Sequence, residues 1–215
     1  MRIAVLGTGV VGQAMGAKLV ALGHDVMMGA RSADNDKALT FAAATGGRTG
    51  DFAAAAAHGE LVVHCTRGDS ALEVLRQAGA ANFAGKVLVD ISNPLDFSRG
   101  FPPSLSISNT DSLGEVIQRA FPDALVVKAL NTVTAAVMVD PNRIPGNHVV
   151  FVSGNDAGAK GVVSELLRSF GWQAIIDLGD ITAARATEQM LPLWTRLYSR
   201  FGTGDFNFAV LRGSD

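Results

Sequence analysis

The sequence predicts an α/β protein: a doubly wound, mostly parallel sheet with a C-terminal α/β extension. Three observations carry this. Short apolar runs alternate with helical patterns along nearly all of the 215 residues. Several of those runs are unbroken Val, Ile and Leu rather than alternating, as expected for strands covered on both faces. The first run, Ile3-Ala-Val-Leu6, leads straight into Gly7-Thr8-Gly9-Val10-Val11-Gly12 and then into a helix. That strand–turn–helix setting makes G-x-G-x-x-G a dinucleotide-binding, Rossmann-type fingerprint.

In that first unit Gly7 permits the tight turn, Gly9 leaves room for a pyrophosphate, and Gly12 lets the helix approach the strand. The helix N-terminus offers free N–H groups and partial positive charge to phosphates. Read otherwise, the same glycines only pack helix on strand. The helix is expected over 11–22, with Val11, Met15, Leu19 and Leu22 at helical spacing and Gly23 as its stop.

The second strand, 25–29, ends in Gly29-Ala30-Arg31-Ser32-Ala33. An NAD site usually has Asp or Glu here to hold the ribose 2′-OH. No carboxylate lies between Val26 and Ala33. Asp34 and Asp36 fall beyond the turn, where they suit a helix N-terminus. Arg31 offers a fork of donors that fits phosphate, and Ser32 can add one more. Charge-assisted hydrogen bonds are worth roughly 1.5–3 kcal/mol each, so even one would favour a 2′-phosphate by about tenfold to a hundredfold. The cofactor expected is NADP(H) rather than NAD(H). The competing reading of Arg31 is a solvated loop charge.

Further strands are expected over 61–65, 86–91, 124–129, 148–153 and 173–178, with a short one near Arg48. Helices are expected over 34–45, 51–58, 70–80, 112–121, 156–170 and 181–201. Ala53 to Ala57 is a run of the best helix former, and Ser112-x-x-Glu115 reads as a capping box. No repeat and no Pro- or Ser-rich linker interrupts the chain. Residues 1–129 read as the dinucleotide-binding core and 130–215 as an extension packed on it, together one domain over 1–215. The last ten residues, ending Arg212-Gly213-Ser214-Asp215, are expected to be loosely held.

Bulk properties narrow the partners. The net charge is −2 and the 18 Lys and Arg are scattered, which argues against nucleic acid. No apolar stretch reaches the ~18 residues needed to span a membrane. The first strand begins at Arg2, which leaves no room for a signal peptide. A cytoplasmic protein with neither nucleic-acid nor membrane partner is expected; a homodimer stays open. Cys65 is the single cysteine, so no intramolecular disulfide forms, and its apolar strand predicts a buried thiol.

In such sheets, ligands sit beyond the carboxyl ends of the strands. Three polar turns should meet there: Cys65-Thr66-Arg67-Gly68, Ser92-Asn93-Pro94-Leu95 and Leu130-Asn131-Thr132. Cys65, Thr66, Asn93, Pro94, Leu130 and Asn131 are therefore candidate cofactor contacts, although Asn and Thr also suit turns for their own sake. Two loops leave the same edge, 96–103 with Arg99 and 140–147 with Arg143. Residues 96–103 and 131–147 would wall a pocket for a second ligand; the two arginines would suit an anionic one, or are solvated loop charges. Met190, Trp194, Leu197 and Phe201 form a stripe that reads as core before it reads as a cofactor platform or a dimer face. Arg185 and Glu188, three apart, read as a surface ion pair.

No catalytic residue and no metal ligand is assigned. Tyr198 is the only tyrosine and has no lysine four residues on. His24, His58, His64 and His148 are dispersed without metal-ligand spacing. His64, inside a strand, reads as a core histidine rather than a base. There is no Gly-x-Ser-x-Gly elbow.

Gly7-Thr-Gly-Val-Val-Gly12, Gly29-Ala-Arg-Ser32, Asp90-Ile-Ser-Asn-Pro-Leu95 and Val127-Lys-Ala-Leu-Asn-Thr132 together resemble the reductases that pass hydride between NADP and the deazaflavin coenzyme F420. The pattern is also similar to the cytosolic domain of a group of membrane metalloreductases. The resemblance runs from residue 1 to about 200. It implies that Thr8, Gly9, Val10 and Val11 wrap the pyrophosphate and that Arg31 and Ser32 hold the 2′-phosphate. It implies that Thr66, Asn93 and Asn131 lie near the ribose and nicotinamide, and that two flat redox rings stack face to face. Such an exchange changes little protonation at the reacting carbon, so the protein need supply only approach and orientation. The same site would be poor at an isolated carbonyl, where a proton donor helps by roughly 10²–10⁴-fold. The expected function is an NADP(H)-dependent oxidoreductase exchanging hydride with F420 or a similar flat small-molecule acceptor. The alternatives are a reductase of another acceptor (flavin, quinone or small carbonyl) and a non-catalytic NADP sensor.

Overall fold

The computed structural model describes residues 1–213, and one eight-stranded sheet runs through its centre. In chain order, β1 (Arg2–Leu6), α1 (Val10–Ala21), β2 (Asp25–Ala30), α2 (Asp36–Thr45), β3 (Arg48–Asp51) and α3 (Phe52–His58) build one half. Next come β4 (Leu61–His64), α4 (Ala71–Ala78), β5 (Val87–Asp90), the small hairpin β6 (Leu95–Asp96) and β7 (Ser104–Leu105), α5 (Leu113–Ala120) and β8 (Leu125–Ala129). The extension adds α6 (Ala135–Val139), β9 (Val149–Gly154), α7 (Ala157–Phe170), β10 (Ala174–Asp177), α8 (Ala184–Gln189) and α9 (Leu191–Phe201).

The sheet order is β10-β9-β8-β5-β4-β1-β2-β3. From β1 the chain moves outward to β2 and β3, then returns to place β4 on the other side of β1. This reversal opens a crevice beyond the carboxyl ends of β1 and β4, where Leu6 pairs with Gly29 on one side and His64 on the other. Helices cover both faces. Met15, Leu19, Phe41, Val163 and Phe170 pack on one, and Phe52, Leu75, Phe83 and Ile117 on the other. The strands therefore carry apolar residues in both phases, which is why their sequences read as unbroken hydrophobic runs.

The doubly wound, mostly parallel sheet is as expected, and the departures have local causes. β9 runs antiparallel to β8. The intervening α6 has five residues, too short at about 1.5 Å per residue to carry the chain back across the sheet, so β9 starts at the edge where β8 ends. The stretch 181–201 is not one helix: a 3₁₀ turn, Ile181–Ala183, precedes α8, and α9 follows with a proline in its first turn, where the missing N–H costs nothing. Neither α6 nor the β6–β7 hairpin was expected. Four helices are capped by side chains, from Asn35, Asp51, Ser112 and Asp156. At the third, Ser112 accepts from the Glu115 amide at 3.2 Å and its hydroxyl donates to the Glu115 carboxylate at 2.7 Å.

One expectation for the C-terminal region is narrowed and one is corrected. The Val149 amide donates to the Phe208 carbonyl at 3.0 Å, and Asn207 donates to the Val149 carbonyl at 2.8 Å, so this part of the tail is tied to β9. Ser214 and Asp215 lie outside the described residues. The α9 stripe is not core. Trp194 and Leu197 are half-buried and Phe201 is exposed, because α9 lies at the rim. Trp194 stacks on Tyr198 and Phe206, with ring centres 5.4 and 5.3 Å away. Among the described residues, no helix is long and apolar enough to cross a membrane.

Candidate functional site

The glycine turn between β1 and α1 is built by close approach. Gly7 has φ of +121°, and a Cβ there would lie 2.9 Å from the Cys65 carbonyl oxygen. A Cβ on Gly12 would lie 2.0 Å from the Gly7 carbonyl oxygen, so α1 can start where it does only with glycine at that position. A Cβ on Gly9 would meet nothing within 4 Å: this face is open. No side chain caps α1, so its first-turn N–H groups are left for a ligand.

In front of that turn lies a cleft of about 300 Å³ lined by Gly7, Thr8, Gly9, Arg31, Thr66 and Arg67, among others. Arg31 is exposed at its rim. Its guanidinium makes no hydrogen bond or ion pair among the described residues, so it is free for a ligand. Ser32 is also exposed but does not line the cleft. Its hydroxyl hydrogen-bonds Asp34 and holds that carboxyl below its ordinary range. Asn35 is occupied in capping α2.

A second cleft, about 530 Å³, opens on the other side of Thr66. It shares Cys65, Thr66 and Arg67 with the first, so the two form one groove along the carboxyl edge of the sheet. Val10, Val11 and Asn93 line it from the core half; Asn131, Val133, Met138, Leu191 and Trp194 wall it from the extension. Asn93 donates to the Asn131 carbonyl at 2.8 Å, and the Asn131 amide returns a bond to the Asn93 side-chain oxygen at 2.9 Å. Leu130 makes the turn into this pair with φ of +61°. Leu130 and Pro94 are buried behind the groove and line neither cleft, and Gly12 is covered by its own helix.

The walls follow expectation in part. Phe97 from loop 96–103 lines this cleft, as do Asn131, Val133 and Met138 from the 131–147 stretch, the last through α6; loop 140–147 itself does not reach it. Arg143 pairs with Asp205 at 3.0 Å, and Arg99 does not line the cleft. Arg67, the one cation on the wall, is paired with Asp69. The lining is mainly apolar, and neither Arg99 nor Arg143 contributes to it.

Beneath the groove is a buried charge network that sequence reasoning missed. His64, Asp90 and Lys128 occupy paired positions on three adjacent strands and are 0, 0 and 1% exposed. His64 Nδ1 is 3.0 Å from Asp90 Oδ1, and Lys128 Nζ is 2.8 Å from Asp90 Oδ2 and 2.7 Å from Glu188 Oε1. Glu188 also accepts from the Leu113 and Gly114 amides, at 2.8 and 3.0 Å, at the N-terminus of α5. The expected Arg185–Glu188 surface pair is therefore wrong: Glu188 points inward to Lys128, and Arg185 pairs with Glu115. Burial would raise the Asp90 carboxyl, but the Lys128 ammonium and the His64 hydrogen bond overcome this and hold it well below the carboxylate range. Burial likewise opposes charge on Lys128, and the two carboxylates keep it charged. Burial, and then the Asp90 charge, push the Cys65 thiol up, so it is not a thiolate at neutral pH. The sequence did hold a signal: His64, Asp90 and Lys128 are polar residues at or next to the carboxyl ends of three apolar strands.

A doubly wound sheet with a bare glycine turn at its reversal point and an apolar cleft beside it defines a dinucleotide-binding protein with room for a second ligand. The family is more specific. The model of the family described as "NADP oxidoreductase coenzyme F420-dependent" matches residues 2–94. The F420-dependent NADP reductase of Methanocaldococcus jannaschii is 30% identical over 154 residues, 70% of this chain and 68% of that protein. The metalloreductase STEAP3 of Rattus norvegicus is 29% identical over 90% of this chain, which spans only 38% of that relative's length. A crystal structure of a candidate F420-dependent NADP reductase from Arthrobacter sp. FB24 superposes with a TM-score of 0.95 at 53% identity, covering 99% of this chain and all of that one. The chain belongs to the family of coenzyme F420-dependent NADP oxidoreductases.

Proposed function

We propose that this protein exchanges hydride between NADP(H) and coenzyme F420 or another flat redox acceptor seated in the apolar cleft. The observation that carries this is the single groove, which joins an unpaired arginine and bare helix N-terminus at one end to a mainly apolar cleft at the other. Residues 1–129 hold most of the dinucleotide: Thr8 to Val11 receive the pyrophosphate, Arg31 with Ser32 takes the 2′-phosphate, and Thr66 and Asn93, with Asn131 just beyond, face the ribose and nicotinamide. Residues 130–215 complete the same domain and wall the acceptor. The cleft volume of about 530 Å³ lies within the roughly 300–1,000 Å³ of small-molecule sites. The indole N–H of Trp194 has no partner among the described residues, and a ring carbonyl on the acceptor would satisfy it. NADP(H) supplies or takes up the hydride; the protein supplies the approach.

The test is turnover of F420 by NADPH, followed as loss of the deazaflavin absorbance. Turnover is expected, and it should be slower with NADH. No turnover with F420 or any flavin overturns the reading. A second reading, reduction of another acceptor such as a quinone or small carbonyl, gains support from the Thr66 hydroxyl, which lies 2.6 Å from His64 Nε2 at the meeting of the two clefts. An acceptor panel in an NADPH-oxidation assay separates the two.

A further inference from the structure

We propose that Thr66, recharged by His64, gives the acceptor the proton that must accompany its hydride. This rests on the hydride-exchange reading above. It also replaces the expectation that the groove contains no acid. His64 itself is fully buried, but Thr66 lies on the wall of both clefts, so the imidazole reaches the groove through one hydroxyl.

The geometry gives each atom a role. Asp90 accepts from the Ser92 amide at 3.0 Å, from the Ser92 hydroxyl at 2.6 Å and from Lys128, and is held as an anion. An ionised carboxylate can only accept, so His64 Nδ1, 3.0 Å away, carries a hydrogen in either state of the ring. Nε2 is then the nitrogen that gains or loses a proton. When neutral it accepts from the Thr66 hydroxyl; when protonated it donates to Thr66 Oγ1, freeing that hydroxyl to donate into the groove. The charged and titratable groups around the ring are Asp90, then Lys128 and Glu188 behind it, the protonated Cys65 next in sequence, and Arg67, which is turned outward and paired with Asp69. The buried part of this set holds one ammonium against two carboxylates, so a protonated His64 neutralises it. On the β1 side of His64 the neighbours are apolar.

The step balances as follows. The C–H bond of the dihydronicotinamide breaks and its electron pair, with the hydrogen, forms a new C–H bond on the acceptor. The displaced π electrons of the acceptor collect on the conjugated nitrogen or oxygen. That atom takes the Thr66 hydroxyl proton as the Nε2 proton moves to Thr66 Oγ1. The net change is acceptor plus NADPH plus one proton to reduced acceptor plus NADP⁺. Water then reprotonates His64 through the same hydroxyl once the product leaves. The acceptor class implied is a neutral conjugated C=N or C=O compound, which includes deazaflavins.

Three measurements test this: the pH profile of kcat, the solvent isotope effect, and ¹⁵N NMR of the His64 ring with NADP⁺ bound. In the parent, kcat should fall as pH rises, because the step consumes a proton, and D₂O should slow it. Thr66→Val, assayed at saturating NADPH, should lower kcat by roughly 10²–10⁴-fold, flatten the profile and abolish the isotope effect. Thr66→Ser should retain the parent profile, which separates loss of the hydroxyl from misfolding. An unchanged profile in a folded Thr66→Val protein overturns the proposal. So does an Nε2 signal that is the same in the parent and in Thr66→Val, a result readable even if no acceptor turns over. Absence of turnover with an Nε2 signal that responds to loss of the Thr66 hydroxyl would fault the hydride-exchange reading instead.

Discussion

Replacing Lys128 with methionine is expected to destabilise the protein by about 3–5 kcal/mol at neutral pH, because breaking a buried ion pair leaves uncompensated charge. The loss is large against a typical total of roughly 5–15 kcal/mol. Lys128 is the ammonium between Asp90 and Glu188, all three 1% exposed or less. Without it two carboxylates face each other away from water. The effect has a signed pH dependence. The Asp90 carboxyl is depressed in the folded state, so its contribution is complete above the ordinary value of 3.8 and is lost as pH falls through the lower folded value. The Lys128 contribution is present below the ordinary lysine value of 10.5 and fades as pH rises past its raised folded value. In the variant both carboxylates are easier to protonate, so the gap between parent and Lys128→Met should narrow towards acid pH. Urea unfolding across that range reads both effects. Adding Asp90→Asn and Glu188→Gln to Lys128→Met should recover much of the loss. A single variant as stable as the parent at neutral pH would show that the network adds nothing to stability.

Arg31→Ala is expected to weaken NADPH binding by roughly 10- to 150-fold, the value of one charge-assisted hydrogen-bonding group, and to leave NADH binding nearly unchanged. The guanidinium stands at the rim of the phosphate cleft with no partner of its own among the described residues, so its removal strands no other group. Because the site is exposed, the difference should shrink as salt is raised. Fluorescence titration of both nucleotides against parent and variant decides it. A parent that prefers NADH would end the assignment of the 2′-phosphate to this turn.

What could be read from sequence was local. The glycine turn, the second-strand arginine and the helix caps each lie within a few residues of one another, and short-range sterics and hydrogen bonds specify them. The buried network is specified by register. His64 and Asp90 are 26 residues apart, and Asp90 and Lys128 are 38. Only the parallel pairing of three strands brings them into one row. Taken singly, each looks like a polar residue at a strand end, and His64 looked like a satisfied core histidine, which it also is. The acceptor wall was misjudged for a similar reason. The stretch 131–147 does supply one wall, but through α6, which at five residues is too short to show a helical period, and not through loop 140–147. Arg185 and Glu188 show the limit of spacing arguments: they are three apart, yet on this short helix one turns to Glu115 and the other into the core.

The most direct test of the account uses NADPH carrying deuterium on the reacting face of nicotinamide C4, with F420 as acceptor. Direct exchange between two rings in one groove predicts deuterium in the reduced deazaflavin, none in water, and transfer from only one face of the nicotinamide. Deuterium released to solvent, or NADPH bound without any label reaching F420 or a flavin, would contradict it.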